Sequence, residues 1–113
     1  MSCLFCRLVQ REIPADIVYE NDDVLAFRDL HPQAPVHVLV IPKQHVTSVD
    51  ASSDEDTLLL GKVLRGARQV AHDLGVADRG YRLVTNNGED AGQSVFHLHV
   101  HVLAGRPLAW PPG

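Results

Sequence analysis

FHLHVHVL, residues 96–103, is the stretch that decides the fold of this chain. Its three histidines alternate with aliphatic residues, and successive side chains of a β-strand point to opposite faces of the sheet. The pattern predicts a strand over 96–103 that buries Leu98, Val100 and Val102 and presents three imidazoles on one face. Imidazole titrates near neutral pH, coordinates metals and takes part in catalysis. The alternative is a solvated edge strand, and strict alternation of three histidines argues against it.

A polar loop containing two glycines leads directly into this strand, over residues 86–95 (NNGEDAGQSV). Gly88 and Gly92 permit positive φ angles and a close approach to a ligand. The Ser94 hydroxyl can donate or accept a hydrogen bond, and exposed N–H groups in such turns can bind anions. Most loops of this composition only reverse the chain. A loop that runs into a row of histidines, however, predicts a phosphate site beside a nucleophile.

The segment from Gly92 to Leu103, GQSVFHLHVHVL, resembles the signature of the histidine triad (HIT) nucleotide hydrolases and transferases. The ending Trp110-Pro-Pro-Gly113 makes the chain most similar to the Hint branch of that family. The resemblance implies a five-stranded antiparallel sheet with one long and one short helix, and a homodimer whose sheets join into ten strands. The other segments that carry the resemblance are Phe5, Ile13-Pro14, Ala26–Asp29, Pro32–Pro35 and His37–Lys43.

Length and charge limit the possible classes of protein. A chain of 113 residues with 45% hydrophobic residues is expected to form a single domain, residues 1–113. The formal net charge of −4 gives no basic footprint for nucleic acid, and no apolar run approaches the roughly 18 residues that span a bilayer. The start, MSCLFC, lacks the basic and long apolar regions of a signal peptide. We therefore expect a cytoplasmic protein that binds neither nucleic acid nor membrane.

Hydrophobic periodicity predicts an α+β fold, because strand-like and helix-like segments do not alternate as βαβ units. The longest helical pattern runs from Ser53 to Leu74, with a capping box at its start and Gly75 just past its end. A second, short helix is predicted over 7–12. The predicted strands are 16–20, 24–29, 36–42, 81–85 and 96–103, and a turn at 21–23 joins the first two.

The resemblance implies roles for the histidines. His99 would attack the α-phosphorus and form a nucleotidyl-histidine intermediate, which water then hydrolyses. His101 would donate to a phosphoryl oxygen, and its role in protonating the leaving group stays open. His97 flanks the nucleophile, and Ser94 with the loop amides would bind phosphate. His37 resembles the additional family histidine behind the triad; the alternative is a buried structural histidine.

The resemblance also implies a purine nucleotide pocket. Asp29 matches the carboxylate that accepts both ribose hydroxyls, and a carboxylate can accept two donors at once. Phe5, Phe27 and Leu30 match the apolar walls of the base slot, although by composition such residues are more often core. The remaining nucleotide contacts are expected from Asn86, Gly92, Gln93, Ser94, His99 and His101.

Cys3-x-x-Cys6 is half of a tetrahedral metal site. His45 and His97 would complete a Cys₂His₂ set, an arrangement that many bacterial members of the family resemble. Protein would then fill all four positions, so zinc would be structural and the chemistry would require no cofactor. The alternative is a pair of reduced thiols without metal, since a reducing compartment disfavours a disulfide.

The resemblance implies an enzyme that cleaves purine nucleoside 5′-phosphoramidates to a nucleoside monophosphate and an amine. One alternative is a dinucleoside polyphosphate hydrolase, which would share the intermediate but expel a different leaving group. Another is a nucleotide-binding regulatory module with little turnover. The tail, about residues 104–113, is expected near the active site of the dimer partner, where it influences substrate choice. The polyphosphate branch lacks the Trp-Pro-Pro-Gly ending.

Overall fold

A five-stranded antiparallel sheet and two helices form the framework of the chain. The computed structural model describes residues 3–113. Met1 and Ser2, the first residues of the N-terminal stretch that was compared above with a signal peptide, lie outside the described residues. The strands are β1 (Ile17–Glu20), β2 (Val24–Arg28), β3 (Val36–Pro42), β4 (Tyr81–Val84) and β5 (Val100–Ala104), and the helices are α1 (Leu4–Val9) and α2 (Thr57–Asp73). Their order in the sheet is β1-β2-β3-β5-β4. The predicted antiparallel sheet with one long helix is confirmed.

The two faces of the sheet carry different residues because each strand alternates its side chains. Helix α2 packs on one face against aliphatic side chains of four strands. Helix α1 covers part of the opposite face through Phe5 and Leu8, which pack on β2 and β3. The rest of that face carries the histidines. The α2 side buries Val24, Ala26, Val38, Val40, Val63, Ala67, Val70, Leu98, Val100 and Val102.

Helix α2 is bounded by the signals that the sequence shows. The Ser53 N–H donates to the Asp56 carboxylate at 2.9 Å, so the predicted capping box forms, although around a 3₁₀ turn (Asp54–Asp56) that precedes the α-helix. At the other end Gly75 takes a φ of 73°, and the N–H groups of Gly75 and Val76 donate back into the last turn. This is a Schellman ending, which needs a residue that tolerates positive φ.

The short helix lies three residues earlier than the sequence predicted, at 4–9 instead of 7–12. Its start is capped by Cys3, whose Sγ accepts the Cys6 N–H at 3.3 Å. The helix ends because Arg11 takes a left-handed conformation, with a φ of 61°. The boundary was wrong because cysteine is not a usual capping residue and arginine is not a usual residue for that turn. The correction places both cysteines at the start of α1.

The histidine strand begins four residues later than predicted, at Val100. Its neighbour β3 ends at Pro42, which has no N–H to donate and whose carbonyl accepts from the His97 ring at 2.8 Å. The Leu98 N–H donates instead to the Val46 carbonyl at 2.6 Å. The side chains still alternate in the residues before β5, which are not paired with β3. Leu98 joins the core under α2, while the imidazole of His97 lies next to the cysteines near the N-terminus.

The other boundaries agree closely with the predictions. The four remaining strands begin and end within one residue of their predicted positions. The turn between β1 and β2 forms around Asn21, whose side-chain carbonyl accepts the N–H groups of Asp23 and Val24 at 2.8 and 2.9 Å. Of the helices formed by residues 3–113, neither is long and apolar enough to cross a membrane.

Candidate active site

Three histidines come together on the face of the sheet that α2 does not cover. His101 lies in β5 opposite Leu39 of β3, and His37 lies in β3 opposite Leu103 of β5. The ring centroid of His101 is 5.1 Å from that of His37 and 5.1 Å from that of His99. His99, which precedes β5, is therefore continuous with a pair of imidazoles held by two adjacent strands.

The backbone fixes the ring of His99. Its Nδ1 lies 2.8 Å from the carbonyl oxygen of His97, and a carbonyl can only accept, so Nδ1 carries the hydrogen. In a neutral imidazole the other nitrogen, Nε2, then holds a lone pair. No hydrogen bond among residues 3–113 uses that Nε2. A ring anchored at one nitrogen and free at the other is the form that a nucleophilic histidine needs.

His37 and His101 form a directional pair. The backbone N–H of Gln33 donates to His37 Nδ1 at 3.0 Å, so this nitrogen is an acceptor and Nε2 carries the hydrogen. His37 Nε2 lies 2.8 Å from His101 Nδ1 and 3.5 Å from an Asp29 carboxylate oxygen. The shorter contact makes His101 Nδ1 the acceptor, which leaves the hydrogen of His101 on Nε2. The site therefore offers a lone pair on His99 beside an N–H donor on His101.

The electrostatics agree with neutral rings. Burial is the largest of the causes that lower the pKa of His101 to about 4; the neighbouring His99 and His37 act in the same direction and Asp29 in the opposite one. Burial also lowers the pKa of His37, against the opposite effect of Asp29. The pKa of His97 is lowered by burial, although its hydrogen bond to the Pro42 carbonyl favours the charged form. At neutral pH these three rings are uncharged, as the hydrogen-bond directions require.

Four sulfur and nitrogen atoms converge beyond His99. The Nε2 of His97 donates to the Pro42 carbonyl, so its Nδ1 lone pair faces the thiols. That Nδ1 lies 3.4 Å from Cys3 Sγ, 3.5 Å from Cys6 Sγ and 3.2 Å from His45 Nδ1. Bond lengths of about 2.3 Å for Zn–S and 2.0 Å for Zn–N put tetrahedral ligand atoms roughly 3.3–3.8 Å apart. The donor set and its spacing fit zinc.

The two aromatic residues expected at the base slot pack beside His99. The rings of Phe5 and Phe27 are buried and meet edge to face, with centroids 5.4 Å apart. Phe5 also contacts the His99 ring, with centroids 5.2 Å apart. The side chain of Leu30, the third expected wall, is 89% exposed. The structure therefore brings two of the three apolar residues to the site and leaves the third in solvent.

The expected ribose ligand is oriented by its own loop. One carboxylate oxygen of Asp29 accepts the His31 N–H at 2.7 Å, and the other faces His37. A carboxylate has further lone pairs, so this arrangement leaves capacity for hydroxyl donors. Asn86, the expected ribose or phosphate contact, is half-buried two residues after β4 ends.

The polar loop at 86–95 is shaped by Gln93. The side-chain amide of Gln93 donates to two backbone carbonyls at 2.8 and 3.2 Å, and its oxygen accepts the Gly88 N–H at 2.9 Å. The backbone N–H groups of Gly92 and Gln93 are also used inside the loop. Gln93 and Gly92, both expected to contact nucleotide, thus shape the loop. Ser94 is exposed, and its N–H and hydroxyl find no partner among residues 3–113, so they are available to a phosphate.

Sequence analysis did not find the groups that orient the histidines. They are the Gln33 N–H, the carbonyls of Pro42 and His97, and the Thr85 hydroxyl, which donates to the His99 carbonyl at 2.9 Å. Three of the four are backbone groups, which leave no side-chain pattern to recognise. The one available signal was the pair of prolines around Gln33, because proline restricts a loop to few conformations.

Known proteins resemble this chain in sequence and in fold. The sequence model of the HIT domain matches residues 10–108. The chain belongs to the HIT family. An uncharacterized HIT-like protein from Synechocystis sp. is 56% identical over 110 residues, which cover 97% of this chain and 96% of that protein. A HIT family hydrolase from Legionella pneumophila has a TM-score of 0.96 at 47% identity, covering 99% of this chain and 100% of the other. A histidine triad nucleotide-binding protein from Candida albicans has a TM-score of 0.81 at 31% identity, covering 97% and 83%.

This HIT protein therefore has the fold of proteins that are named HIT family hydrolases. The histidine row, Asp29 and the polar loop all lie inside the residues that match the family model. Cys3, Phe5 and Cys6 lie outside them, on or next to α1. The N-terminal helix and its capping residue thus place an aromatic ring and two thiols beside the histidines.

Proposed function

We propose that this HIT protein hydrolyses purine nucleoside 5′-phosphoramidates to a nucleoside monophosphate and an amine, through a nucleotidyl intermediate on His99. The observation that carries the proposal is the tautomer of each ring. The His97 carbonyl holds His99 Nδ1 and leaves the Nε2 lone pair free. His37 holds His101 Nδ1 and leaves its N–H free. A lone pair beside a donor is what attack on phosphorus and stabilisation of the phosphoryl oxygens require.

The proposed reaction has two displacements at one phosphorus. In the first, His99 Nε2 attacks, the bond from phosphorus to the amine breaks, and the departing amine takes up a proton. In the second, water attacks, the bond from phosphorus to His99 breaks, and water loses a proton as the monophosphate forms. Two inversions would retain the configuration at phosphorus. His101 would donate from Nε2 to a phosphoryl oxygen as a neutral ring, since positioned donors contribute most to such transfers.

The nucleotide would be bound by the residues around this pair. Asp29 would accept the ribose hydroxyls, Phe5 and Phe27 would face the base, and Ser94 would donate to phosphate. A purine buries more apolar area than a pyrimidine, which favours it in such a slot. A bound base would also cover Leu30, which is exposed in the free chain. The names of the Legionella pneumophila hydrolase and the Candida albicans nucleotide-binding protein support hydrolysis and nucleotide binding respectively.

We assign a structural zinc ion to Cys3, Cys6, His45 and His97, whose ligand atoms lie within 4.8 Å of one another. Protein would fill all four positions, so the ion would hold the backbone before β5 and supply no step of the reaction. Burial raises the pKa of the Cys6 thiol to about 11, and Cys3 adds to the effect, so a bound cation would be needed to hold the thiolates. Both cysteines are free of disulfides, which suits the cytoplasm that we propose as the compartment.

We also propose a homodimer formed through β4. This strand is an edge of the sheet, and an unprotected edge readily pairs with another chain. Leu83 on β4 is an exposed apolar residue of that edge strand, and Trp110 in the tail is 79% exposed. Leu64 on α2 is a further exposed apolar residue. Pairing two β4 strands about a two-fold axis would give ten strands and bring each tail toward its partner. Sedimentation equilibrium should give twice the chain mass, and Leu83→Glu should reduce it.

The proposed function is tested by release of AMP from adenosine 5′-phosphoramidate and, in parallel, from diadenosine triphosphate. His99→Ala removes the nucleophile, and His72→Ala is the matched control because His72 is an exposed histidine on α2. AMP binding is measured for all three proteins by calorimetry. We expect fast phosphoramidate turnover, slow dinucleotide cleavage, and a His99→Ala variant that binds AMP without turnover.

The other outcomes assign a different function. Faster cleavage of diadenosine triphosphate would make the protein a dinucleoside polyphosphate hydrolase with the same intermediate. Binding of AMP without turnover of either substrate would make it a nucleotide-binding module. Turnover that persists in His99→Ala would contradict the nucleophile.

A further inference from the structure

The chain just after β5 lies against the loop that precedes β3. A Cβ built on Gly105 would meet the Cβ of Pro35 at 2.8 Å, and Gly105 takes a φ of 95°. Both facts require glycine there, because any other side chain would clash and strain the backbone. The next residue, Arg106, donates from Nη2 to the Gln33 carbonyl at 2.9 Å. The start of the C-terminal segment is thus fastened to a loop far away in sequence.

The same loop contacts the histidines of the site through one residue, Gln33. The Gln33 N–H donates to His37 Nδ1 at 3.0 Å, and His37 Nε2 lies 2.8 Å from His101 Nδ1. The side chain of Gln33 donates to the His31 carbonyl at 2.9 Å, so the loop is also closed on itself. Arg106 therefore holds the residue whose N–H occupies the lone pair of His37 Nδ1 and so favours the hydrogen on Nε2, as the Asp29 carboxylate 3.5 Å from Nε2 also does.

We propose that Gly105 and Arg106 are positioning residues for the triad: they hold Gln33 so that His37 stays the donor, and His101 the acceptor, in their contact. Without the Gln33 donor, His37 can carry its hydrogen on Nδ1 and turn a lone pair toward His101. His101 must then place its own hydrogen on Nδ1, which leaves a lone pair on Nε2. That lone pair would repel the phosphoryl oxygen that Nε2–H is proposed to bind.

This inference rests on the proposed function only for its kinetic consequence, because the tautomer of His37 is measurable without substrate. Long-range ¹H–¹⁵N NMR correlations distinguish protonated from unprotonated ring nitrogens. The full chain is labelled at histidine, its zinc content is held constant, and signals are assigned by single histidine substitutions. The wild type is expected to show His37 and His101 as Nε2–H tautomers.

Two matched pairs of variants test the connection. Arg106→Ala removes the bond to Gln33, whereas Arg79→Ala removes the same charge from the same cleft. Gln33→Pro removes the N–H, whereas Gln33→Ala removes only the side chain. We expect Arg106→Ala and Gln33→Pro to give mixed His37 tautomers, and Arg79→Ala and Gln33→Ala to keep the wild-type form. Arg106→Lys, which can still donate to the Gln33 carbonyl, should restore it.

Kinetics supply a second measurement. We expect kcat on adenosine 5′-phosphoramidate to fall about fivefold in Arg106→Ala, with KM within about twofold, since one orienting hydrogen bond is lost. An unchanged His37 tautomer in folded Arg106→Ala and Gln33→Pro would overturn the inference, whatever the activity. A changed His37 tautomer in the two variants would uphold the inference even if the wild type turned over no substrate. That absence of turnover in the wild type would contradict the proposed function instead.

Discussion

The two ends of the histidine row carry the same residue type for different purposes. We name the group Cys3, Cys6, His45 and His97 the cysteine end, and the group Asp29, His37 and His101 the aspartate end. The ring of His97 is fully buried, with its lone pair directed at two sulfurs. The ring of His101 is half-buried, with its N–H directed away from His37. His99 stands between them.

The difference arises from the backbone group that each end supplies. At the cysteine end the Pro42 carbonyl accepts the hydrogen of His97 Nε2, so the lone pair on Nδ1 faces the two thiols. At the aspartate end the Gln33 N–H donates to the Nδ1 of His37. The Nε2–H of His37 then donates to the Nδ1 of His101. The carbonyl behind His97 turns a lone pair toward the thiols, and the N–H behind His37 leaves the His37–His101 pair with an N–H donor at its far end. The pattern of histidines alone does not contain this distinction.

The largest expected effect is loss of the metal from the cysteine end. Cys6→Ser should bind no zinc, and its free energy of unfolding should fall by about 4 kcal/mol at free zinc a thousandfold above the Kd. Cys6 is the better position than Cys3, because Cys3 Sγ also caps α1. Zinc content by atomic emission and urea unfolding with and without chelator measure the effect.

The control for that experiment is the response to chelator. Chelator should lower the stability of the wild type to that of Cys6→Ser and leave the variant unchanged, since the variant has no site to empty. Equal chelator sensitivity of the two proteins, or a wild type without zinc, would contradict a structural metal at the cysteine end.

The next effect concerns the aspartate end and should appear in catalysis. His101→Asn removes the N–H donor proposed for the phosphoryl oxygen, and we expect kcat to fall about 100-fold, in the range found for one oxyanion donor. The Kd for AMP should stay within about threefold, and zinc content should not change. His72→Asn serves as the control because it changes an exposed histidine of α2. A loss of zinc in His101→Asn would show that the two ends are not independent.

The sequence predicted the helices and strands and most of their boundaries, but it did not predict a boundary that depends on tertiary contacts. Alternation placed Leu98, Val100 and Val102 in the core, and periodicity with Gly75 set the end of α2, because burial and turn geometry act through side chains. The start of β5 was wrong because Pro42 interrupts the neighbouring strand, which is a fact of tertiary pairing.

The site was predictable as a set of residues and not as a set of hydrogen bonds. Alternation identified His97, His99 and His101, and the resemblance added His37. The structure brings His37, His99 and His101 together. It did not supply Gln33 or Thr85, because their contacts depend on how distant loops are folded. The resemblance also assigned Leu30 to the wall of the base slot, but its side chain is exposed in the folded chain.

A smaller effect is expected in the dependence of stability on pH. The pKa of His101 is about 4 in the folded protein and about 6.5 in an unfolded chain. Between these values the unfolded chain binds the proton and the folded one does not, so stability is full above about pH 6.5 and is lost toward pH 4. His101 is half-buried, and we expect it to account for about 2 kcal/mol of that loss.

Denaturant unfolding from pH 7 to pH 4, in chelator to remove the contribution of the cysteine end, measures this loss in the wild type and in His101→Asn. The variant should lose about 2 kcal/mol less than the wild type over this range. The groups that face His101 are His37, His99 and Asp29, and all remain in the variant. Parallel curves for the two proteins would contradict a buried neutral His101.

The smallest effect should come from the hydrogen bond between Thr85 and the backbone of His99, the histidine that lies between the two ends. The Thr85 hydroxyl donates to the backbone carbonyl of His99 and not to its ring. Thr85→Val should lower the free energy of unfolding by about 1 kcal/mol, as expected for one hydrogen bond, and Thr85→Ser should restore it. Because the His97 carbonyl already anchors the His99 ring, we expect kcat to change less than about threefold. A larger fall in kcat with unchanged stability would mean that Thr85, which follows β4, orients His99 for the reaction and that the His97 carbonyl alone does not.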